Sequence, residues 1–342
     1  MRALRRKGLV LCTVAAMLFA TACGGNADEP KKDGTVTGDQ TPAGDNKQTT
    51  EPGGDTQSGD SQGEAGNNTE TPGTADNQGS ENPGTTETPA DNTQGKATVI
   101  VLSDSGITVE GSGCKVKENR VKIEEPGTYE ISGTLSNGYI YVNVDNESEV
   151  HVILKGVTVH NETSAAFYAK KASKVTVTLA AGTENVFSDG PEYVFEPEED
   201  EPDATFFAKH DLVIEGEGTL KVTANYGDAI KGKDSLYIQG GIIEVNSVDE
   251  GIVGRDLLHI TGGKITVNAE GDAIKSTNDV DATLGNIIID GGTLTLTGES
   301  DDIQAENMVI INGGTLHLSA GKSGIQSEYG TEYNGGTVSS LK

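Results

Sequence analysis

IKGKDSLYIQGGIIEVNSVDEG, residues 230–251, is one unit of a repeat. Leu236 and Ile238 alternate with polar residues, Gly240-Gly241 turns the chain, and Ile243 and Val245 alternate again. A polar turn then leads to Ile252, the counterpart of Ile230. Aligned on that isoleucine, the series runs Ile230, Ile252, Ile274, Ile303 and Ile325, with gaps of 22, 22, 29 and 22. Glycine pairs keep the same beat at 240–241, 262–263, 291–292, 313–314 and 335–336. The longer gap is one insertion around NDVDATLGN, 278–286.

Period-2 alternation over three or four residues predicts short strands with one face buried. The next units place Leu258, Ile260, Ile265 and Val267, then Ile287, Ile289, Leu294 and Leu296, then Val309, Ile311, Leu316 and Leu318 at the same offsets. Like residues therefore stack on like, about 4.8 Å apart, as parallel strands. The pattern predicts an all-β fold, a parallel β-helix of about 22-residue coils. A leucine-rich horseshoe is the nearest alternative, but its asparagine-ladder consensus is absent. Residues 97–187 are less regular and strand-rich, and read as early coils that also cap the stack.

Two residues before each aligned isoleucine stand Asp228, Glu250, Asp272, Asp301 and Ser323, and Asp249 and Asp302 crowd the same turn. Stacked carboxylates about 5 Å apart repel by about 1 kcal/mol per pair even in water. The chain must splay them into solvent or neutralise them. Carboxylates and turn carbonyls on adjacent coils suit a hard divalent cation, and with no histidine or cysteine cluster nearby calcium fits better than zinc. A second ladder, Asp234, Asp256, Asn278 and Asn307, has the simpler explanation of Asx residues bonding their own turns. The segment 188–207, SDGPEYVFEPEEDEPDATFF, is acidic and broken by three prolines. It reads as a protruding loop, either solvated or in contact with a cation or substrate.

No catalytic residue is expected. The five histidines lie beside no serine nucleophile in sequence. Lys231, Arg255 and Lys275 lie near the acid corner, where a lyase acting on acidic sugars would want a base; equally, they balance the carboxylates. They are the weak candidates for carbohydrate contact. The chain has no tryptophan, so any sugar-stacking surface rests on Tyr and Phe; Tyr139 and Tyr141 alternate on one strand and face one side.

The N-terminus describes a destination rather than a fold. MRALRRKG is basic, LVLCTVAAMLFA is apolar but too short to span a bilayer, and ATAC (20–23) resembles a bacterial lipobox, although Ala20 stands where leucine is usual. Residues 1–22 are read as a lipoprotein signal peptide and Cys23 as the lipidated residue. This places the protein at the extracellular face of the bacterial membrane, which it meets only through that anchor. Residues 23–96 are rich in Gly, Thr, Asp and Pro with almost no apolar residue, and read as a disordered acidic linker. Residues 97–342 form the domain. Of three cysteines only Cys114 remains, expected as a small buried side chain rather than half of a disulfide. The formal charge is −28, and loss of the signal's four cations takes it near −32. Such a chain excludes nucleic acid as a direct partner, and an acidic ligand would need a cation between.

PGTYEISGTLSNGYIYVNV (126–144), VHVILKGVTV (150–159), LAAGTENVFSDG (179–190), DEPDATFFAKHDLVIEGEGTLKV (200–222) and the repeated D-x-I and GG turns resemble the carbohydrate-binding domain family of bacterial surface lipoproteins. The resemblance implies a right-handed, pectate-lyase-like parallel β-helix. It implies calcium at the coil edges, binding of acidic plant polysaccharide such as polygalacturonate, cellulose as a further ligand, and no established lyase activity. Members continue through more coils, so the domain is expected to lack its C-terminal ones. The sequence leaves three readings: a calcium-dependent binding module, a calcium-dependent polysaccharide lyase, and an adhesin or wall spacer stiffened by calcium.

Overall fold

The computed structural model describes residues 96–195, 197–198, 200–319 and 321–341. The signal peptide, Cys23 and nearly all of the linker lie outside them. The described residues contain strands and no helix. Each regular coil has three strands rather than two. Asp228–Gly232, Ser235–Ile238 and Ile242–Ser247 make one coil, and each pairs in parallel with its counterpart in the next: Ile252–Gly254, Leu257–Ile260 and Lys264–Ala269. Three parallel faces result. The first runs from Lys174–Leu179 to Thr331–Tyr333, the second from Glu184–Asp189 to Thr337–Ser340, and the third from Arg120–Ile123 to Ser323–Ser327.

Inward residues follow the alternation read in the sequence. Leu236, Leu258, Ile287 and Val309 occupy one column and Ile243, Ile265, Leu294 and Leu316 another, all fully buried. On the third face Ile230, Ile252, Ile274 and Ile303 continue a column that begins with Val121, Ile140, Phe167 and Phe206. The Phe167 and Phe206 rings stack at 4.1 Å, and Phe187 meets Phe206 edge-on at 5.0 Å.

The two glycines of each pair answer separate demands. The second takes a positive φ, from +81° to +96° at Gly241, Gly263, Gly292, Gly314 and Gly336. The first lies so close to the coil below that a Cβ would sit 2.3–2.8 Å from a carbonyl oxygen, such as Asp290 O beneath Gly313. The pair therefore fixes both the bend and the rung spacing.

The early segments are coils, as expected, and they also supply the cap. Gly127–Leu135 and Glu149–Asn161 are long enough to run through both of the first two faces. Two antiparallel strands, Thr108–Glu110 and Cys114–Lys117, close the first coil. Cys114 is half-buried against the core. The insertion falls where the spacing put it, between Ile274–Ser276 and Asn286–Ile289, and leaves the pairing Ile274 to Ile303 in register.

Candidate functional site

The recurring acids do not sit in open turns. Asp228 and Asp301 open strands of the third face, and Asp228, Asp272 and Asp301 are all buried. Their neutralisation explains how. One oxygen of Asp228 accepts the Glu250 N–H at 3.3 Å and the other receives Lys231 Nζ at 2.9 Å. A similar pattern recurs at Asp272, with the Asp301 N–H at 3.0 Å and Lys275 Nζ at 2.6 Å. Each ammonium is shared with a second carboxylate: Lys231 with Asp203 at 2.6 Å, and Lys275 with Glu250 at 3.1 Å. Burial alone would pull both ammonium pKa values down, yet the flanking carboxylates hold them above the ordinary lysine value.

Asp228, Asp249 and Glu250 converge, each offering an oxygen within 4.8 Å of the others. Burial pushes the Asp228 carboxyl well above the usual range, more than Lys231 offsets. Glu250 goes the other way: against its own burial, the hydrogen bond with Asp228 and the neighbouring Lys275 hold it at about 2. The two shifts run in opposite directions, as expected of crowded carboxylates. The donor set is all oxygen and fits a hard divalent cation. Asp272 is a further rung. Asp301 differs, because Gln304 stands at the register of Lys275, and both Asp301 Oδ1 and Gln304 Oε1 are buried without a hydrogen-bond partner. Asp302 is fully buried and accepts Gly298 N–H and Ser319 Oγ–H, so it braces its own coil rather than joining the cluster.

Arg255 is engaged with Asp256 at 3.0 Å. The second ladder bonds its own turn at Asn278, whose Oδ1 accepts the Val280 and Asp281 N–H groups, but it also ties rungs together: Asn278 Nδ2 donates to Asp256, and Asn307 Nδ2 to Ala282 O and Leu284 O.

The loop following Glu184–Asp189 is pinned at both ends. At its start, buried Asp189 accepts the Tyr193 and Thr205 hydroxyls at 2.6 and 2.8 Å and the Asn225 N–H at 2.6 Å, and Tyr193 stacks on Tyr226 at 4.1 Å. At its end, Glu201 pairs with Lys209 and Lys233, and Asp203 with Lys231. Burial raises the Asp189 carboxyl, and its hydrogen bonds only partly offset this. Its contribution to stability is therefore fullest below the ordinary carboxylate pKa near 4 and is lost as pH rises through the folded value. Asp189→Asn should remove that pH dependence. It should also cost about 1–3 kcal/mol, because an amide cannot accept from all three donors. Urea denaturation between pH 4 and 8 checks both.

This loop walls a groove on the outer side of the third face. Arg120, Tyr139, Tyr141, Tyr168 and Phe195 line a cleft of about 430 Å³, and a second of about 370 Å³ adjoins it across Arg120 and Tyr139. The tyrosine pair was legible as a strand face; Arg120 was not. It comes into register with Tyr139 only through the parallel pairing of Arg120–Ile123 with Tyr139–Asn143.

The carbohydrate-binding domain-containing protein family matches residues 117–340. A carbohydrate-binding domain-containing protein from Acetivibrio thermocellus is 38% identical over 150 residues, 43% of this chain and 52% of that relative. The chain thus matches about half the length of that curated relative. A solved structure, the polysaccharide lyase-like protein from C. thermocellum in a gadolinium derivative, superposes with a TM-score of 0.68 at 33% identity, over 71% of this chain and all of that one. With its coils, its paired glycines and most of its length inside the match, this chain belongs to the carbohydrate-binding domain-containing protein family.

Proposed function

We propose that this chain is a non-catalytic module that binds acidic polysaccharide, with calcium bridging protein carboxylates to sugar carboxylates. A lipid on Cys23 would hold it at the outer face of the bacterial membrane. The observation that carries the reading is the convergence of Asp228, Asp249 and Glu250 in an all-oxygen cluster. Calcium reconciles a chain of charge −28 with an anionic polymer. The lyase reading is weaker: Lys231 and Lys275 are each gripped by two carboxylates and held more basic than usual, which suits a structural cation and not a proton acceptor at neutral pH.

The test is a titration of the full chain against polygalacturonate in calcium and in EDTA, alongside Asp249→Asn. Binding should vanish in EDTA, and the variant should need at least about tenfold more calcium, a loss of one charged ligand. Binding that survives EDTA would sink the bridge. A folded chain that ignores the polymer in calcium would sink the polysaccharide reading.

A further inference from the structure

The coils carry an excess of acid, and their cations are for the most part claimed. Lys209, Lys231, Lys233 and Lys275 all end on carboxylates. Arg120 is an exception in a significant place. Among the described residues no carboxylate lies within ion-pair distance of it. Its guanidinium lies over Tyr139 at 5.5 Å and Tyr141 at 6.0 Å, and donates to Tyr139 Oη at 2.8 Å. The arginine is thus half-buried beside two aromatic rings and leaves N–H donors available.

The rings around it form a trough rather than a flat platform. Tyr139 meets Tyr141 at 75°, and Tyr141 meets Tyr168 at 59°. Phe195, on the loop pinned by Asp189, closes one side. The two adjoining clefts fall within the roughly 300–1,000 Å³ of small-ligand sites. Glu201 also lines the groove, but Lys209 and Lys233 hold it.

We propose that this groove is where the polysaccharide's sugar ring sits, with a uronate as the ring it selects. Resting on the binding reading above, the proposal adds a contact site separate from the calcium cluster. The C–H faces of a pyranose lie against the tilted tyrosines. The ring's carboxylate takes the open guanidinium donors, a pairing that is bidentate and charge-assisted. A neutral sugar would fill the trough but leave the guanidinium without an anion. Selectivity for acidic over esterified rings therefore resides in Arg120, and shape recognition in the tyrosines.

The test compares the full chain with Arg120→Gln and Tyr139→Ala on polygalacturonate and on its methyl ester, in calcium throughout. Arg120→Gln should weaken binding to polygalacturonate at least about tenfold and leave the weaker binding to the ester unchanged, erasing the preference. Tyr139→Ala should weaken both. Thermal melts establish that the variants are folded; Arg120→Gln gives up one part-buried hydrogen bond and no core contact, so it decides the question if Tyr139→Ala is unstable. If wild type binds polygalacturonate and Arg120→Gln binds it equally well, the groove is overturned while the binding reading stands. If folded wild type binds neither polymer, both readings fall together.

Discussion

Replacing Lys231 with methionine is expected to destabilise the fold by about 2–4 kcal/mol in EDTA, read from the urea midpoint. The lysine side chain is 16% exposed and Asp228 only 8%, so methionine would leave a carboxylate buried with no cation. Breaking such a pair costs more than the pair contributes, because the orphaned charge keeps its desolvation penalty. Two features set the upper limit. Asp203 is 43% exposed and can turn to water, and burial already raises the Asp228 carboxyl, which eases its protonation once the lysine is gone. Calcium should then recover part of the loss, since a vacated ammonium position beside Asp228, Asp249 and Glu250 leaves oxygens for a cation. A variant as stable as wild type in EDTA would show that the buried acids are not held by lysine.

Phe206→Ala should be at least as damaging, about 3–5 kcal/mol. The ring is fully buried, stacks on Phe167 within 5° of parallel and takes the edge of Phe187. It also touches the rung that begins the regular isoleucine column, because Phe206 pairs with Ile230. A cavity there separates the early coils from the later ones. In a stack stabilised by nearest-neighbour interfaces, that weakens coupling across the whole domain. Ile274→Val, in the same column three rungs on, should cost only about 0.5–1.5 kcal/mol. Calorimetric melts of the two should therefore differ in cooperativity as well as midpoint.

The regular coils were legible because their inward positions alternate over several residues and recur at 22. The third strand of each coil was not. Ile252–Gly254 is three residues long with all of them buried, so it shows no alternation. For the same reason the acids read as turn residues. Their burial depends on lysines from the same coil and backbone N–H groups one rung away, contacts that only the stacking creates. The six acids offered as calcium ligands are not one cluster: Asp228, Asp249 and Glu250 converge, Asp272 pairs with Lys275, and Asp302 braces its coil. The groove was least legible. In the early coils one rung takes 27 residues from Ile140 to Phe167 and 39 from Phe167 to Phe206, so no fixed period aligns Arg120 with the tyrosines.

That unevenness has a consequence of its own. A step of 22, 29 or 39 residues advances the stack by the same single rung, and the surplus is spent at corners: 277–285 in one coil, 190–203 in another. The frame is a ruler that does not count the thread wound on it. Corner length can change without moving a core residue, and the long corner at 190–203 is the one that supplies Phe195 to the groove. In this architecture one wall of the groove can be reshaped by editing a corner, while Arg120 and the tyrosines stay in place on the strands of the third face.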